Sequence, residues 1–305
     1  MEGCKMLSNI MSILLTVVTA LVWGLLLGGI SRNVTAKIHG RVGPRVTQNF
    51  IDLWKLFRKT SSIHHGGMFW MAPLFRITGA IAVLLMVPVV VGHNINYNMS
   101  FAGDIFLLLY IMFFGCLGMA LGAGNSGHPY SVVAISRGLA QMSSYELSFS
   151  IAVVAVAVGL HTLRIEGIVA AQQAGVSSWN IFRFPFASAG ALIAFLPMQM
   201  AYPFSIVLAP QEIPIGPPTE YSSRFLSFMF SGRALFSVAK LLLFVNLFFG
   251  GASSWMALFV KTFLLYMYAI VVSSVFPRFR TEQSIKFLWL VPTTLALVDL
   301  VRVML

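Results

Sequence analysis

The chain has 305 residues, of which 58% are hydrophobic and only 10% charged. Soluble domains carry about 25% charged residues, so this chain has too little polar surface to face water, and its solvent is lipid. The net charge of +11, from 20 Lys and Arg against 9 Asp and Glu, lies mostly between apolar runs, as membrane topology requires. It gives no support to nucleic-acid binding, because the aromatic residues sit inside the apolar runs.

Apolar spans are expected at 9–30, 71–92, 104–123, 145–164, 186–209, 232–250, 254–276 and 285–304, each long enough to cross about 30 Å of hydrocarbon. The first is read as a retained helix, since no small-residue cleavage site precedes polar sequence. Between the first two spans, Phe50, Leu53, Trp54 and Phe57 recur at helical spacing with Asp52, Lys55, Arg58 and Lys59 around them. That pattern predicts an amphipathic helix at the membrane interface. The expectation is therefore an all-α integral membrane protein of about eight transmembrane helices plus an amphipathic interfacial helix, forming one membrane domain over residues 1–305.

Connections 31–70, 124–144, 210–231 and 277–284 join alternate spans. The first carries Arg32, Lys37, Arg41, Arg45, Lys55, Arg58 and Lys59, and the last Arg278 and Arg280, whereas 93–103 has no positive residue. The positive-inside rule then places these four connections in the cytoplasm and both termini outside, in a cell membrane. In 210–231, Pro210, Pro214, Pro217 and Pro218 force irregular backbone, so this loop is either a stiff moving element or a rigid docking platform.

Charges in or at the bilayer are costly and are paired or functional. Glu146 opens the fourth span, Glu212 and Glu220 follow the fifth, Asp104 opens the third, and Lys240 and Lys261 fall inside the sixth and seventh. A carboxylate at a membrane helix end is able to exchange protons if burial raises its pKa, which makes Glu146 and Glu212 candidates for a relay. Lys240 has the reach to snorkel to the interface. Asp299 and Arg302, three residues apart, are placed to pair on one helix face. Cys4 and Cys116 are the only cysteines. A cluster needs about four, so any redox centre is expected in another protein, and the chain itself is expected to hold no cofactor. No metal site is expected: the adjacent His64–His65 pair has poor geometry, and none of the six His has ligand spacing. There is no P-loop, GxSxG or HExxH.

Four stretches carry a family resemblance. They are Lys37-Ile38-His39-Gly40-Arg41-Val42-Gly43-Pro44, Arg137-Gly138-Leu139-Ala140-Gln141-Met142-Ser143-Ser144-Tyr145-Glu146-Leu147-Ser148, Glu220-Tyr221-Ser222 and Phe276-Pro277-Arg278-Phe279-Arg280. In this order they resemble the membrane component that joins the redox arm to the membrane arm of respiratory complex I, known as its H-type or first subunit. Two compact spacings, Gly43-Pro44 running straight to Gln48, Asp52 and Lys55, and Gln211-Glu212 running to Gly216-Pro217, are more similar to the equivalent component of energy-converting membrane-bound hydrogenases. The chain departs from the family's acidic funnel at Met198, Ser205, Leu208 and Pro210.

The resemblance implies a non-catalytic anchor and coupling subunit between a ferredoxin-oxidising module, in a hydrogenase or a related sulfur reductase, and antiporter-like subunits that move H+ or Na+. Its partners would be soluble hydrogenase-like large and small subunits and iron–sulfur proteins, which hold the NiFe centre and the clusters. Glu146, Glu212, Glu220, Tyr145 and Tyr221 would carry the relay or coupling. Arg41, Arg45, Asp52, Trp54, Lys55, Arg137, Arg278 and Arg280 would hold the redox module. Two alternatives stand beside this reading. One is a quinone-site subunit of complex I type, which needs a tunnel between span one, the amphipathic helix and the loop after span five. The other is a stand-alone secondary transporter, which needs a site at broken midplane helices.

Overall fold

The computed structural model describes residues 2–61, 66–90, 103–207, 212–213 and 216–305. The ends of two expected spans (91–92 and 208–209), the His64–His65 pair, and Leu208, Pro210, Gln211 and Pro214 lie outside these residues. The described residues are helical with no strand: α1 (Glu2–Ile38), α2 (Gln48–Arg58), α3 (Gly67–Met86), α4 (Asp104–Gly124), α5 (Pro129–Gly159), α6 (Ile165–Ala170), α7 (Asn180–Arg183), α8 (Pro185–Met198), α9 (Ser223–Phe248), α10 (Trp255–Val275) and α11 (Thr281–Met304). Among them, seven are long and apolar enough to cross a membrane, and α8 is a shorter apolar helix. The protein is an all-α, multi-pass membrane protein.

The helices outrun the apolar spans at several ends. α5 begins 16 residues before its expected start because Pro129 suits a first helical turn, where its missing N–H is not needed, and the His128 side chain accepts from the Tyr130 N–H. The polarity of 130–144 marks a helix leaving hydrocarbon, not a loop. The motif from Arg137 to Ser148 therefore lies on one continuous helix.

α8 differs in the other direction. Expected to run to 209, it stops at Met198 after 14 residues. At 1.5 Å per residue it covers about 21 Å, short of the roughly 30 Å hydrocarbon core. Pro197 ends the ladder, and Met200 (φ +56°) turns the chain through the left-handed region. The turn is closed by Met200 N–H to Pro197 O at 2.9 Å and Ala201 N–H to Leu196 O at 3.0 Å, the pairing that caps helix ends. Residues 199–207 then run as irregular but buried backbone, with Phe204 and Ile206 almost fully enclosed.

Such backbone survives at membrane depth only where protein or a wet cavity satisfies it. Gln141 Nε2 donates to Phe204 O (2.5 Å) and the Tyr202 N–H donates to Ser273 Oγ (3.2 Å). The Phe279 N–H donates to Pro203 O (3.0 Å).

The core is built by close helix contacts. α3 and α4 meet at Gly79 and Gly115, where a Cβ on Gly79 would stand 2.7 Å from the Gly115 Cα. α1 approaches α9 at Gly24, where a Cβ would stand 2.5 Å from Ala234 O. Small residues at such crossings supply the packing that replaces hydrophobic driving force in lipid. α9 is the central helix, buried almost continuously from Leu235 to Phe248, and α8 packs between α5 and α11. Gly79→Leu is expected to destabilise the folded chain by about 1–3 kcal/mol through overpacking, seen as a lower thermal midpoint in detergent. Gly67→Ala, on the same helix with open space around it, should leave the midpoint unchanged.

Candidate functional site: a cross-linked loop face and a cationic chamber

The four basic connections are drawn together on one face. Glu212 Oε2 accepts from Arg137 Nη1 at 2.6 Å and pairs with Arg278 Nη2 at 3.3 Å, joining α5 and the 276–280 loop to the segment after α8. Glu220 Oε2 accepts from the Gly127 N–H at 3.1 Å. Tyr221 stacks on Phe69 with ring centroids 4.0 Å apart and 5° between planes, and its hydroxyl donates to Phe69 O at 3.0 Å. Ser223 Oγ donates to Thr60 O at 2.5 Å. Each bond crosses between two of the four connections, so the segment from Glu212 to Ser223 is their common anchor.

The electrostatics fit this anchoring. The Arg137 hydrogen bond, and then the Arg278 charge, hold the Glu212 carboxyl below the usual carboxylate range, although the side chain is more than half exposed. Burial pushes the Tyr221 hydroxyl above the ordinary tyrosine range, so it remains a neutral donor to its carbonyl.

The candidate docking residues divide between two places. Arg41, Arg45, Trp54, Lys55 and Arg280 are exposed, and Trp54 carries Arg58 over its ring at 5.0 Å. Arg137 and Arg278 are committed to Glu212. The inner face of α2 is Asn49, Leu53 and Phe57 rather than Trp54. Asn49 Nδ2 donates to Leu25 O (2.9 Å), and Phe57 meets Phe228 edge-on at 5.2 Å. Asp52 accepts from Gln48 (2.8 Å) and pairs with Arg32 (3.6 Å). Of the relay candidates, Tyr145 is buried against Cys116 and Glu146 is half-buried within electrostatic range of Lys240. They are separate from the Glu212–Tyr221 anchor.

A chamber of about 230 Å³ lies between α1, α2, α9 and the broken end of α8. Met198, Gln199 and Met200 form its floor, and Arg32, Asp52, Arg76, Arg233, Lys240 and Tyr266 stand in its wall. Lys240 does not snorkel: its Nζ donates to Met198 O at 2.5 Å and lies 4.5 Å from the Phe236 ring. Arg76 and Arg233 escape a reading based on motifs. The signal for them was present, because an arginine inside an apolar run is costly enough to need a reason. Among the described residues no group of three or more His, Cys, Asp or Glu is placed to hold a metal.

On the far side, Asp104 Oδ1 accepts from the Ile165 N–H (3.0 Å) and Asp299 Oδ2 from the Ala187 N–H (2.7 Å). Asp299 also pairs with Arg302 at 3.7 Å, as their spacing predicted.

The described residues thus form a helical membrane body with one tied loop face and a polar chamber between α1, α2 and α9. The chain belongs to the NADH dehydrogenase family, whose model matches residues 10–304. It is 30% identical over 295 residues to the H-type subunit of the NADH-quinone oxidoreductase of Bacillus mycoides, covering 88% of this chain and 85% of the relative. It is 28% identical over 274 residues to the corresponding protein of Carboxydothermus hydrogenoformans, covering 84% and 76%. It also superposes on a chain of the membrane-bound sulfane sulfur reductase, an archaeal respiratory membrane complex. That match has a TM-score of 0.91 and 30% identity, over 97% of this chain and 99% of the other.

A carboxyl whose folded pKa lies below its unfolded value stabilises the fold above the unfolded value, about 4.3 for Glu, and loses that contribution as pH falls through the folded one. The thermal midpoint of wild type should therefore exceed that of Glu212→Gln at pH 6, and the gap should close as pH drops below about 4. The effect will be small, under about 1 kcal/mol, because the group is exposed and screened. Tyr221→Phe, which removes a buried donor to the Phe69 carbonyl, should cost about 1 kcal/mol or more by the same measurement.

Proposed function

We propose that this chain is the membrane anchor and coupling subunit of a ferredoxin-fed respiratory complex of the sulfane sulfur reductase or membrane-bound hydrogenase kind. The observation that carries this reading is the near-complete superposition on the sulfane sulfur reductase chain, together with the compact Gly43-Pro44 to Gln48 spacing. In this reading the redox module, with its iron–sulfur clusters and a NiFe or equivalent centre, docks on the tied loop face. Exposed Arg41, Arg45, Trp54, Lys55 and Arg280 meet it, and Glu212, backed by Arg137 and Arg278, keeps the platform rigid. The loop face is cytoplasmic, both termini face outward, and antiporter-like neighbours move H+ or Na+.

Coupling needs an element whose equilibrium both sites bias. The Glu212–Ser223 segment is the candidate, because it touches every other connection. Glu146, beside Lys240 and below that segment, is the candidate proton-exchanging group, with Tyr145 next to it.

A second reading, a quinone-site subunit, is favoured by one observation. The chamber lies between α1, α2 and the segment after α8, where such a site would have to be. Its charged wall and the Met198 and Ser205 departures from the acidic funnel oppose it.

Purification in mild detergent under anaerobic conditions separates the readings. Co-purification of iron–sulfur proteins with a hydrogenase-like large subunit, and oxidation of reduced ferredoxin by the assembly, is the expected result. A bound quinone with quinone-reductase activity would replace this reading by the second, and a solitary transporting chain would sink both. In the assembled complex, Glu220→Gln, which weakens the tie to Gly127, should lower ion movement per electron more than Thr219→Ser does. Equal ratios in the two variants would refute a coupling role for this segment.

A further inference from the structure

The chamber carries more positive charge than its own lining neutralises. Four cations, Arg32, Arg76, Arg233 and Lys240, share it with one carboxylate, Asp52, for a net charge of +3 (four minus one). Asp52 is already paired with Arg32. Arg76 and Lys240 are over nine-tenths buried, yet their polar partners are a thioether, Met119 Sδ at 2.8 Å from Arg76 Nη1, and one carbonyl, Met198 O. Arg233 makes no hydrogen bond or ion pair among the described residues, and its electrostatic neighbours are the Tyr266 hydroxyl and the like charge of Arg32. Arg76, Arg233 and Lys240 also act on one another. Two further titratable groups are in range without lining the chamber: Cys116, which acts on Arg76 and Lys240, and Glu146, which acts on Lys240.

Removing one partner from a buried ion pair is strongly destabilising, because it leaves a charge in low dielectric. Arg76 is such a charge with only a thioether partner, and Arg233, whose side chain is exposed, opens onto the same space, so the chamber calls for a counter-charge. Guanidinium groups recognise planar or tetrahedral oxyanions through forked hydrogen bonds. The chamber exceeds the roughly 150 Å³ of an engineered cavity that accommodates benzene, so a tetrahedral anion fits with room for what it is attached to. Phe230 and Arg32 are exposed at the chamber's margin, which gives it an opening beside α1 and α9.

We propose that the chamber is a binding site for a phosphate-bearing anion, held by Arg233 and Arg76 with Arg32 at the mouth. The source is either the head group of an anionic phospholipid or a free phosphate compound. Its role is to neutralise the wall beneath the docking face. This stands whether the redox partner is a sulfur reductase, a hydrogenase or a quinone enzyme.

The test uses the full chain, stripped of co-purifying lipid and titrated calorimetrically. The probes are dihexanoyl phosphatidylglycerol below its micelle concentration, inorganic phosphate, and dihexanoyl phosphatidylcholine. The expected result is saturable binding of phosphatidylglycerol or phosphate, weakened at least about tenfold by Arg233→Gln and retained by Arg233→Lys. Binding of phosphatidylglycerol alone assigns the site to lipid, and equal binding of inorganic phosphate assigns it to a free anion. Arg32→Gln, at the exposed mouth, provides a second variant should Arg233→Gln fail to fold, and it should weaken binding in the same direction. Three results would overturn the proposal: no binding of either anion, equal binding of phosphatidylcholine, or affinity indifferent to both substitutions. Binding by the isolated chain but not by the assembled complex would also overturn it, because a partner side chain would then fill the chamber.

Discussion

The structure turns on an apolar helix, α8, that is too short to cross the bilayer. α8 leaves carbonyls and irregular backbone at a depth where lipid satisfies nothing, and the rest of the fold is arranged around that demand. Asp299 stands at its N-terminus, accepting from Ala187, and Lys240 stands at its C-terminus, donating to Met198. An anion at the positive end and a cation at the negative end of one helix each contribute about 0.3–1 kcal/mol, and up to about 2 kcal/mol when partly buried. These two residues also fix α8 between α11 and α9. Gln199 completes the end through a reciprocal pair with Ser237 of α9, accepting at 2.8 Å and donating to its carbonyl at 3.2 Å.

From this break the functional face follows. The chain leaving α8 cannot be helical, so it crosses the loop side as a buried strap held by Gln141, Ser273 and Phe279. The strap then emerges as the segment carrying Glu212, Glu220 and Tyr221, which ties the other three basic connections. The polar chamber and the rigid loop face are thus two consequences of one short helix.

Much of this was legible in sequence. Apolar run length located seven long helices, and the 3.6-residue period located α2. Alternating basic loops identified which connections share a face, and the bonds from Glu212, Glu220, Tyr221 and Ser223 bear that grouping out. What was not legible has a common cause. Hydropathy measures solvent and not helix, so it did not show that α5 begins at Pro129, in polar sequence, nor that α8 stops inside an apolar run at Met198. Pairing across the fold was equally invisible. Glu212 and Arg137 are 75 positions apart, and their partnership depends on the strap that hydropathy misread. Arg76 and Arg233 carried a signal in their cost alone, with no motif to say what they face.

The same logic separates Lys240 from the arginines around it. Lys240 is explained by the fold, because the last carbonyl of α8 needs a donor and an ammonium suits the negative end of a helix. Arg76 and Arg233 have no such backbone duty: one meets a thioether and the other faces the chamber. Arg76 is buried and only partly compensated, and Arg233 is exposed on the same space of molecular size. The proposed anion would bring negative charge to both from outside the polypeptide and so complete the electrostatics of this membrane body.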